Sequence, residues 1–304
     1  MIMGSRQAIV ILGMHRSGTS ATAGICCLLG AAAPAGMMEA AFDNPTGFWE
    51  SFPVSALNER ILRTADANWY NSFAFDPAVI DAASRAELVG YCEAVLAAEF
   101  GDTPAFVMKD PRFSLLLDFW FPVFAAMKVT VAPVLALRHP SEVTASLRRR
   151  DNMPIEIAAP MWLQYSLESE RLTRGRQRAL LSYDRLLRDW RDAVAGVAEK
   201  TGLVWPTAPD SAADAICDFL RPQMRHHHAA PVRIAVGKPP LAGWIAETYN
   251  ALRAIEDGGG EAEYRRLDQV SAAFAAWRAS APRITAEMAA GREPLPAGTV
   301  LSGC

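Results

Sequence analysis

The sequence is poor in lysine and cysteine, and each shortage narrows the class of protein it can encode. Only four of its 30 basic residues are Lys, and a formal net charge of −3 provides no general basic surface for nucleic acid. Its five Cys contain no CxxC pair, which disfavours a disulfide framework or a zinc site and suits a reducing compartment. We therefore expect a cytoplasmic protein that binds any anionic ligand with a local cluster of basic side chains.

Long uncharged hydrophobic runs are also lacking. The apolar start resembles a signal peptide, but His15 and Arg16 interrupt it, and the longest later apolar run, 115–127, is too short to cross a bilayer. Hydrophobic residues still make up 51% of the 304 positions, enough for a sizeable core. The sequence thus predicts a globular protein without a signal peptide or transmembrane segment.

Short apolar runs alternate with segments of helical spacing along most of the chain. Strands are predicted over 8–14, 105–108, 129–137 and 179–183. Helices are predicted over 19–30, 52–66, 82–99, 113–127, 160–176 and 184–201, with a further helix beginning at Pro140. Pro133 predicts that the first half of the third strand is a sheet edge or a lead-in to the strand. This alternation predicts an α/β protein with a three-layer, P-loop-like fold, in which a central parallel sheet is flanked by helices.

The C-terminal third has weaker periodicity. Helices are predicted near 211–220, 241–255 and 261–279, and the last fifteen residues are rich in Pro and Gly. We expect residues 1–230 to form the α/β domain and residues 231–304 to form a helical extension packed on that same domain.

The segment GMHRSGTS, residues 13–20, lies between the first predicted strand and its helix. Such a loop directs backbone N–H groups at an anion, and the helix N-terminus adds positive potential. Its two glycines have the spacing of a Walker A loop, but Thr19 stands where that motif requires Lys. Arg16 provides a cation elsewhere in the loop. The pattern favours a phosphate cradle over the alternative, an ordinary strand–helix turn with an exposed Arg.

A second basic cluster follows the third predicted strand. Arg138 ends that strand, Pro140 begins the next helix, and Ser146 lies about two turns along it. An Arg fork and a hydroxyl can hold one phosphate from two sides. Taken alone, the two residues are more typical of a strand-end ion pair and a serine on a helix surface.

Together, these clusters resemble the donor-binding motifs of sulfotransferases that use 3′-phosphoadenosine 5′-phosphosulfate (PAPS), over roughly residues 8–190. The loop matches the family's phosphosulfate loop, and Arg138 with Ser146 matches its 3′-phosphate motif. The resemblance implies PAPS as donor, 3′,5′-ADP as product and no metal. The donor-binding residues that it implies are Arg16, Ser17, Gly18, Thr19, Ser20, Arg138, Ser146 and Tyr183.

Two further segments are similar to the bacterial, carbohydrate-type branch of this family, and a third is similar to an element of the family as a whole. In NPTGFWES, 44–51, the resemblance implies Glu50 as the catalytic base, and the alternative is a helix cap near Pro53. In FVMKDPRF, 106–113, it implies that Lys109 faces the sulfuryl group or the acceptor, with Arg16 as the third catalytic residue. In LLSYDRLLRDW, 180–190, it implies Tyr183 as an adenine contact, where the alternative is a core aromatic.

The resemblance implies a small-molecule or glycan acceptor bearing a hydroxyl or an amine. The pocket is expected within 31–80 and 152–175, where Trp49, Trp69, Tyr70 and Trp162 either stack on sugars or belong to the core. The Lys-Gly-rich C-terminal loop of cytosolic sulfotransferases is missing, and His226 to His228 are expected to be solvated rather than metal ligands. A P-loop nucleotide kinase and a non-catalytic nucleotide- or glycan-binding relative stay open as alternatives.

Overall fold

A four-stranded parallel sheet forms the centre of the molecule. The computed structural model describes residues 6–40, 47–220, 237 and 239–280. The strands lie in the order β2-β1-β3-β4, and all neighbours are parallel. Their bounds are β1 Arg6–Leu12, β2 Ala105–Lys109, β3 Val129–Leu137 and β4 Ala179–Ser182. The predicted parallel sheet is therefore confirmed.

Helices connect and cover these strands. Their bounds are α1 Thr19–Leu28, α2 Phe52–Thr64, α3 Ala82–Phe100, α4 Phe113–Ala126, α5 Pro140–Asp151, α6 Ile155–Thr173, α7 Tyr183–Arg188, α8 Trp190–Thr201, α9 Ala213–Phe219, α10 Leu241–Glu256 and α11 Glu261–Ser280. Short 3₁₀ turns occupy Ser72–Ala74, Pro77–Val79 and Pro209–Ala212. None of these helices has the length and apolarity needed to cross a membrane.

Alternate residues of β1 point into two separate cores, which makes the fold three-layered. Ala8, Val10 and Leu12 pack with α2 to α6, α10 and α11 on one face. Ile9 and Ile11 pack with α1, α8 and α9 on the other. Because both faces are covered, β1 is apolar at every position from Ala8 to Leu12. The expected α/β architecture is confirmed.

Two prolines and one aspartate bear on where strands pair and where helices begin. β4 pairs with β3 only from Val134 onward, so Pro133 does lie on a locally unpaired edge. The single helix predicted over 184–201 is wrong, because Asp189 leaves helical geometry at φ −149° and its carboxylate accepts from the Asp192 N–H to begin α8. The predicted start of α6 at 160 is also wrong, since the helix begins at Ile155 and contains Pro160.

The two last helices pack on the same layer as α6. The Ser182 N–H at the end of β4 donates to Glu256 Oε1 of α10 at 2.7 Å, which fixes α10 against the sheet. In α11, Arg278 donates to the carbonyl oxygen of Phe73 in the segment after α2. The expected domain boundary at 230 falls outside the described residues.

Candidate active site

The loop after β1 takes a shape that requires glycine at two positions. Gly13 and Gly18 have φ values of +127° and +89°. A Cβ at Gly13 would lie 2.5 Å from the Ala136 oxygen of β3, and one at Gly18 would lie 2.5 Å from the Tyr183 ring. The loop is thus pressed between β3 and the start of α7, and Arg16 itself is left-handed at φ 70°.

Helix α1 directs its N-terminus at this loop. Gly18 occupies the cap position without a side-chain hydrogen bond, and the first turn contains no acidic residue. The amides of that turn have no acceptor within the helix, and the helix dipole adds positive potential at the same place. With Arg16 in the loop, the arrangement is suited to an anion.

The two basic clusters predicted from the sequence meet at the carboxyl ends of β1 and β3. Arg16 Nε donates to Ser146 Oγ at 2.9 Å, across 130 residues of sequence. Arg138 Nη1 donates to the Arg16 carbonyl oxygen at 3.2 Å, and Arg138 Nε donates to Glu142 at 2.7 Å. The Arg138 guanidinium also lies over the Tyr183 ring, 4.7 Å from its centroid. Arg16, Arg138, Ser146 and Tyr183 therefore form one cluster.

A buried ion pair lies at the carboxyl end of the neighbouring strand, β2. The Lys109 and Glu50 side chains are 4% and 10% exposed, and Lys109 Nζ contacts Glu50 Oε1 directly. Lys109 also donates to Ser20 Oγ at 3.3 Å, and Ser20 donates to the carbonyl oxygen of Phe48 at 3.3 Å. Lys109 thus joins the loop to the segment that contains Glu50.

Glu50 does not cap the following helix. The N-cap of α2 is Ser51, whose hydroxyl accepts from the Val54 N–H at 3.1 Å. The alternative interpretation of Glu50 as a cap is therefore wrong. A left-handed Trp49, at φ 58°, precedes Glu50, whose carboxylate meets Lys109 rather than the helix amides.

The segment after β2 is fixed by a second set of charges. Arg112 contacts Asp110 at 2.8 Å, Glu59 at 3.0 Å and the Ser55 hydroxyl at 2.9 Å. Burial by itself lowers the pKa of Arg112, but the carboxylates of Asp110, Glu50 and Glu59 outweigh it and raise that pKa. Arg112 therefore stays charged and holds this loop in place.

Two polar side chains near the loop were not assigned a role from the sequence. His15 Nε2 and Tyr165 Oη are buried and have no hydrogen-bond partner among the described residues. The His15 ring lies 4.8 Å from the Trp69 ring and 6.2 Å from the Tyr165 ring, between centroids. Burial lowers the pKa of His15 well below 6.5, and nearby Arg150 lowers it further, so the imidazole is neutral at pH 7. The position of His15 beside Arg16 was a usable signal, whereas nothing in the sequence distinguishes Tyr165.

The aromatic residues expected near an acceptor are divided between surface and core. Trp162 is 1% exposed and belongs to the core. Trp69 and Tyr70 are half-buried and lie edge to face at 5.6 Å, while Trp49 packs edge-on against Phe219 at 6.0 Å. Across the described ranges, no cluster of three His, Cys, Asp or Glu is placed to hold a metal ion. Residues 44–46, Lys238 and His226 to His228 lie outside those ranges.

Comparisons with known proteins give matches among solved structures. No protein-family model and no curated protein matches the chain. It is similar to the sulfotransferase domain of the Synechococcus PCC 7002 olefin synthase, with 17% identity and a TM-score of 0.44, over 82% of this chain and 97% of that one. It is also similar to the sulfotransferase domain of the curacin biosynthetic pathway, with 13% identity and a TM-score of 0.44, over 81% of this chain and 98% of that one.

Proposed function

We propose that this chain is a sulfotransferase that moves a sulfuryl group from PAPS to an acceptor hydroxyl. The observation that carries the proposal is the contact between Arg16 and Ser146, which joins the loop after β1 to the cluster after β3. A ligand with two phosphate groups suits such a double site, because each cluster supplies its own cation and hydroxyl donors. PAPS differs from ATP by its 3′-phosphate, which the second cluster would select.

The donor would lie across the carboxyl edge of the sheet. In this proposal the loop and the N-terminus of α1, with Ser17, Gly18, Thr19 and Ser20, hold the phosphosulfate. Arg138 and Ser146 hold the 3′-phosphate. Tyr183, which packs against Gly18 and Arg138, is positioned for an adenine ring. Thr19 in place of the Walker A lysine disfavours a nucleoside triphosphate.

Transfer would proceed by in-line displacement, as in phosphoryl transfer. The acceptor oxygen forms a bond to sulfur while the bond from sulfur to the phosphate oxygen breaks, and its electron pair leaves with 3′,5′-ADP. Arg16 would neutralise that leaving phosphate, and Lys109 would stabilise charge on the sulfuryl oxygens. Glu50 would take the acceptor proton, and its contact with Lys109 holds the carboxylate at the loop.

The proposed setting is the cytoplasm of a bacterium, with a glycan or glycolipid as acceptor. The support is the similarity of residues 44–51 and 106–113 to the carbohydrate-type branch of sulfotransferases. Trp69 and Tyr70 supply half-exposed aromatic faces on which a sugar ring could stack.

Calorimetry with nucleotides tests the donor assignment directly. We expect 3′,5′-ADP to bind at least about 10-fold more tightly than 5′-AMP or ATP, because a charge-assisted hydrogen bond contributes about 1.5–3 kcal/mol. Arg138→Ala should remove this preference while leaving 5′-AMP binding nearly unchanged. Equal affinity of the parent protein for 3′,5′-ADP and 5′-AMP would contradict the proposal, and tighter binding of ATP with Mg²⁺ would favour a kinase.

A further inference from the structure

The ion pair of Glu50 and Lys109 (the buried pair) joins two elements from separate parts of the chain. Lys109 is the last residue of β2, and Glu50 directly precedes Ser51, the N-cap of α2. Their contact therefore depends on how the start of α2 is placed against the end of β2. A displacement of about 1 Å between groups that act together can cost about 100-fold in rate. The contacts that hold α2 to β2 thus bear directly on the proposed transfer.

Arg112 is fixed to the β2 side of this junction. Its Nη1 donates to both carboxylate oxygens of Asp110, at 3.0 and 2.8 Å, and its backbone N–H donates to Asp110 Oδ1 at 2.8 Å. Asp110 directly follows Lys109 and is fully buried. Charge-assisted hydrogen bonds of this kind are short and directional. The guanidinium is therefore held at a defined place relative to the backbone that carries Lys109.

The same guanidinium reaches α2. Its Nη1 donates to Ser55 Oγ at 2.9 Å, and its Nε donates to Glu59 Oε2 at 3.0 Å. Ser55 and Glu59 are four residues apart, so they lie on one face of the helix. The Ser55 N–H donates to the Ser51 carbonyl oxygen at 2.9 Å, which places Ser55 in the turn that follows the cap. Fixing this turn also fixes Glu50, the residue before the cap.

Other contacts keep α2 on the fold. Trp120 Nε1 of α4 donates to Asn58 Oδ1 at 2.8 Å, and Val54 and Leu57 are buried in the core. Loss of the Arg112 contacts should therefore shift the start of α2 without unfolding the chain. A lysine at this position would keep the charge, but its single ammonium cannot replace the planar fork that spans both elements.

We infer that Arg112 is a positioning residue for the proposed transfer, and that it sets the contact between Glu50 and Lys109 by tying α2 to the end of β2. It acts through these two side chains rather than on the donor, and its fork is needed in addition to its charge. The inference rests on the proposed function for its catalytic meaning. Its geometric part can be measured on the protein without any ligand.

Thermal unfolding of a set of variants tests the geometric part. In the parent, Lys109→Met added to Glu50→Gln should restore much of the melting temperature that Glu50→Gln loses, because it removes the unpaired ammonium. In an Arg112→Lys background the pair is held less closely. Glu50→Gln should then lower the melting temperature by less than half as much, and Lys109→Met should restore correspondingly little. Glu59→Gln, which breaks only the α2 side of the bridge, should have the same effect and serves if Arg112→Lys does not fold.

The matched control is Arg178→Lys, at the opposite edge of the sheet. Arg178 directly precedes β4, and its side chain is 6% exposed against 12% for Arg112. Its guanidinium contacts Glu170 Oε1 at 2.6 Å and Thr173 Oγ1 at 2.8 Å. Loss of this fork should lower the melting temperature but leave the coupling within the buried pair as it is in the parent.

Calorimetry with two nucleotides tests the catalytic part. The proposed function places Lys109 at the sulfuryl oxygens, and 3′,5′-ADP lacks the sulfuryl group. Arg112→Lys should therefore weaken the binding of PAPS by about 10-fold and leave the affinity for 3′,5′-ADP nearly unchanged. Arg178→Lys should leave both affinities at the parental values.

Three results would overturn the inference: full coupling of the buried pair in both Arg112→Lys and Glu59→Gln, an equal loss of coupling in Arg178→Lys, or parallel changes in the two affinities of Arg112→Lys. A failure of the proposed function looks different. If the parent does not bind 3′,5′-ADP, the sulfotransferase proposal fails, while the unfolding data still decide whether Arg112 positions the buried pair.

Discussion

Replacing Glu50 with Gln removes one member of a buried ion pair in the candidate active site, and burial determines the size of the effect. Lys109 is 4% exposed, and among the described residues its remaining hydrogen bond once the carboxylate is lost is the 3.3 Å contact with Ser20. A buried charge left without its partner costs about 3–5 kcal/mol. In a chain of this size we expect the melting temperature to fall by about 5–10 °C.

The assay combines unfolding with turnover. The Glu50→Gln variant should unfold at a lower temperature than the parent. Its transfer rate should fall by at least about 100-fold, as expected for loss of a general base. The double variant Glu50→Gln/Lys109→Met removes both charges, so it should recover much of the stability without recovering activity. Calorimetry with 3′,5′-ADP on each variant confirms that the site still folds.

Melting temperature and transfer rate test two separate roles of Glu50, as a member of the ion pair and as the base. A Glu50→Gln protein with the same melting temperature as the parent would show that the ion pair contributes little to the stability of the fold. Near-parental turnover in a stable Glu50→Gln protein would contradict the role of Glu50 as base.

Three other perturbations probe the loop. The Arg16→Ala variant should lose at least about 100-fold in transfer rate. It should keep the melting temperature of the parent, because the half-buried Arg16 fills no core space. Normal turnover of this variant would show that the loop is not part of the donor site. Gly18→Ala should weaken 3′,5′-ADP binding about 10-fold or more in calorimetry, since its φ of +89° and the Tyr183 ring leave no room for a Cβ, and parental affinity would contradict that geometry. The pKa of His15 is lowered in the fold by burial, so the unfolded chain binds its proton first as pH falls through about 6.5. Denaturant titrations should therefore show the parent losing more stability than His15→Gln between about pH 7.5 and 5.5, and parallel losses would argue against a neutral His15.

Local sequence patterns determined the secondary structure of this protein. The apolar runs that became β1 to β4 are continuous because strands in a parallel sheet are buried on both faces. Pro140 marked the start of α5, and Pro133 marked the half of β3 that pairs with β1 but not with β4, since each acts through its own backbone geometry. The break at Asp189 was not predicted from the sequence, because the helical spacing continues through residues 184–201 and does not reveal that Asp189 begins a new helix as its N-cap.

Only the tertiary structure decided how the site residues combine. Lys109 and Glu50 are 59 residues apart, and Arg16 and Ser146 are 130 apart, so no local pattern encodes their contacts. Parallel strands bring their carboxyl ends to one edge, and this gathers the groups there. The roles of these residues stay predictions.

The unpaired atoms of His15 and Tyr165 were also beyond the sequence. Whether a buried hydroxyl or imidazole is satisfied depends on the side chains that surround it in three dimensions. The sequence determined which donor chemistry to expect from motifs along the chain. The fold alone determined which buried polar groups find a hydrogen-bond partner, because hydrogen bonding in the interior is a property of the packed structure.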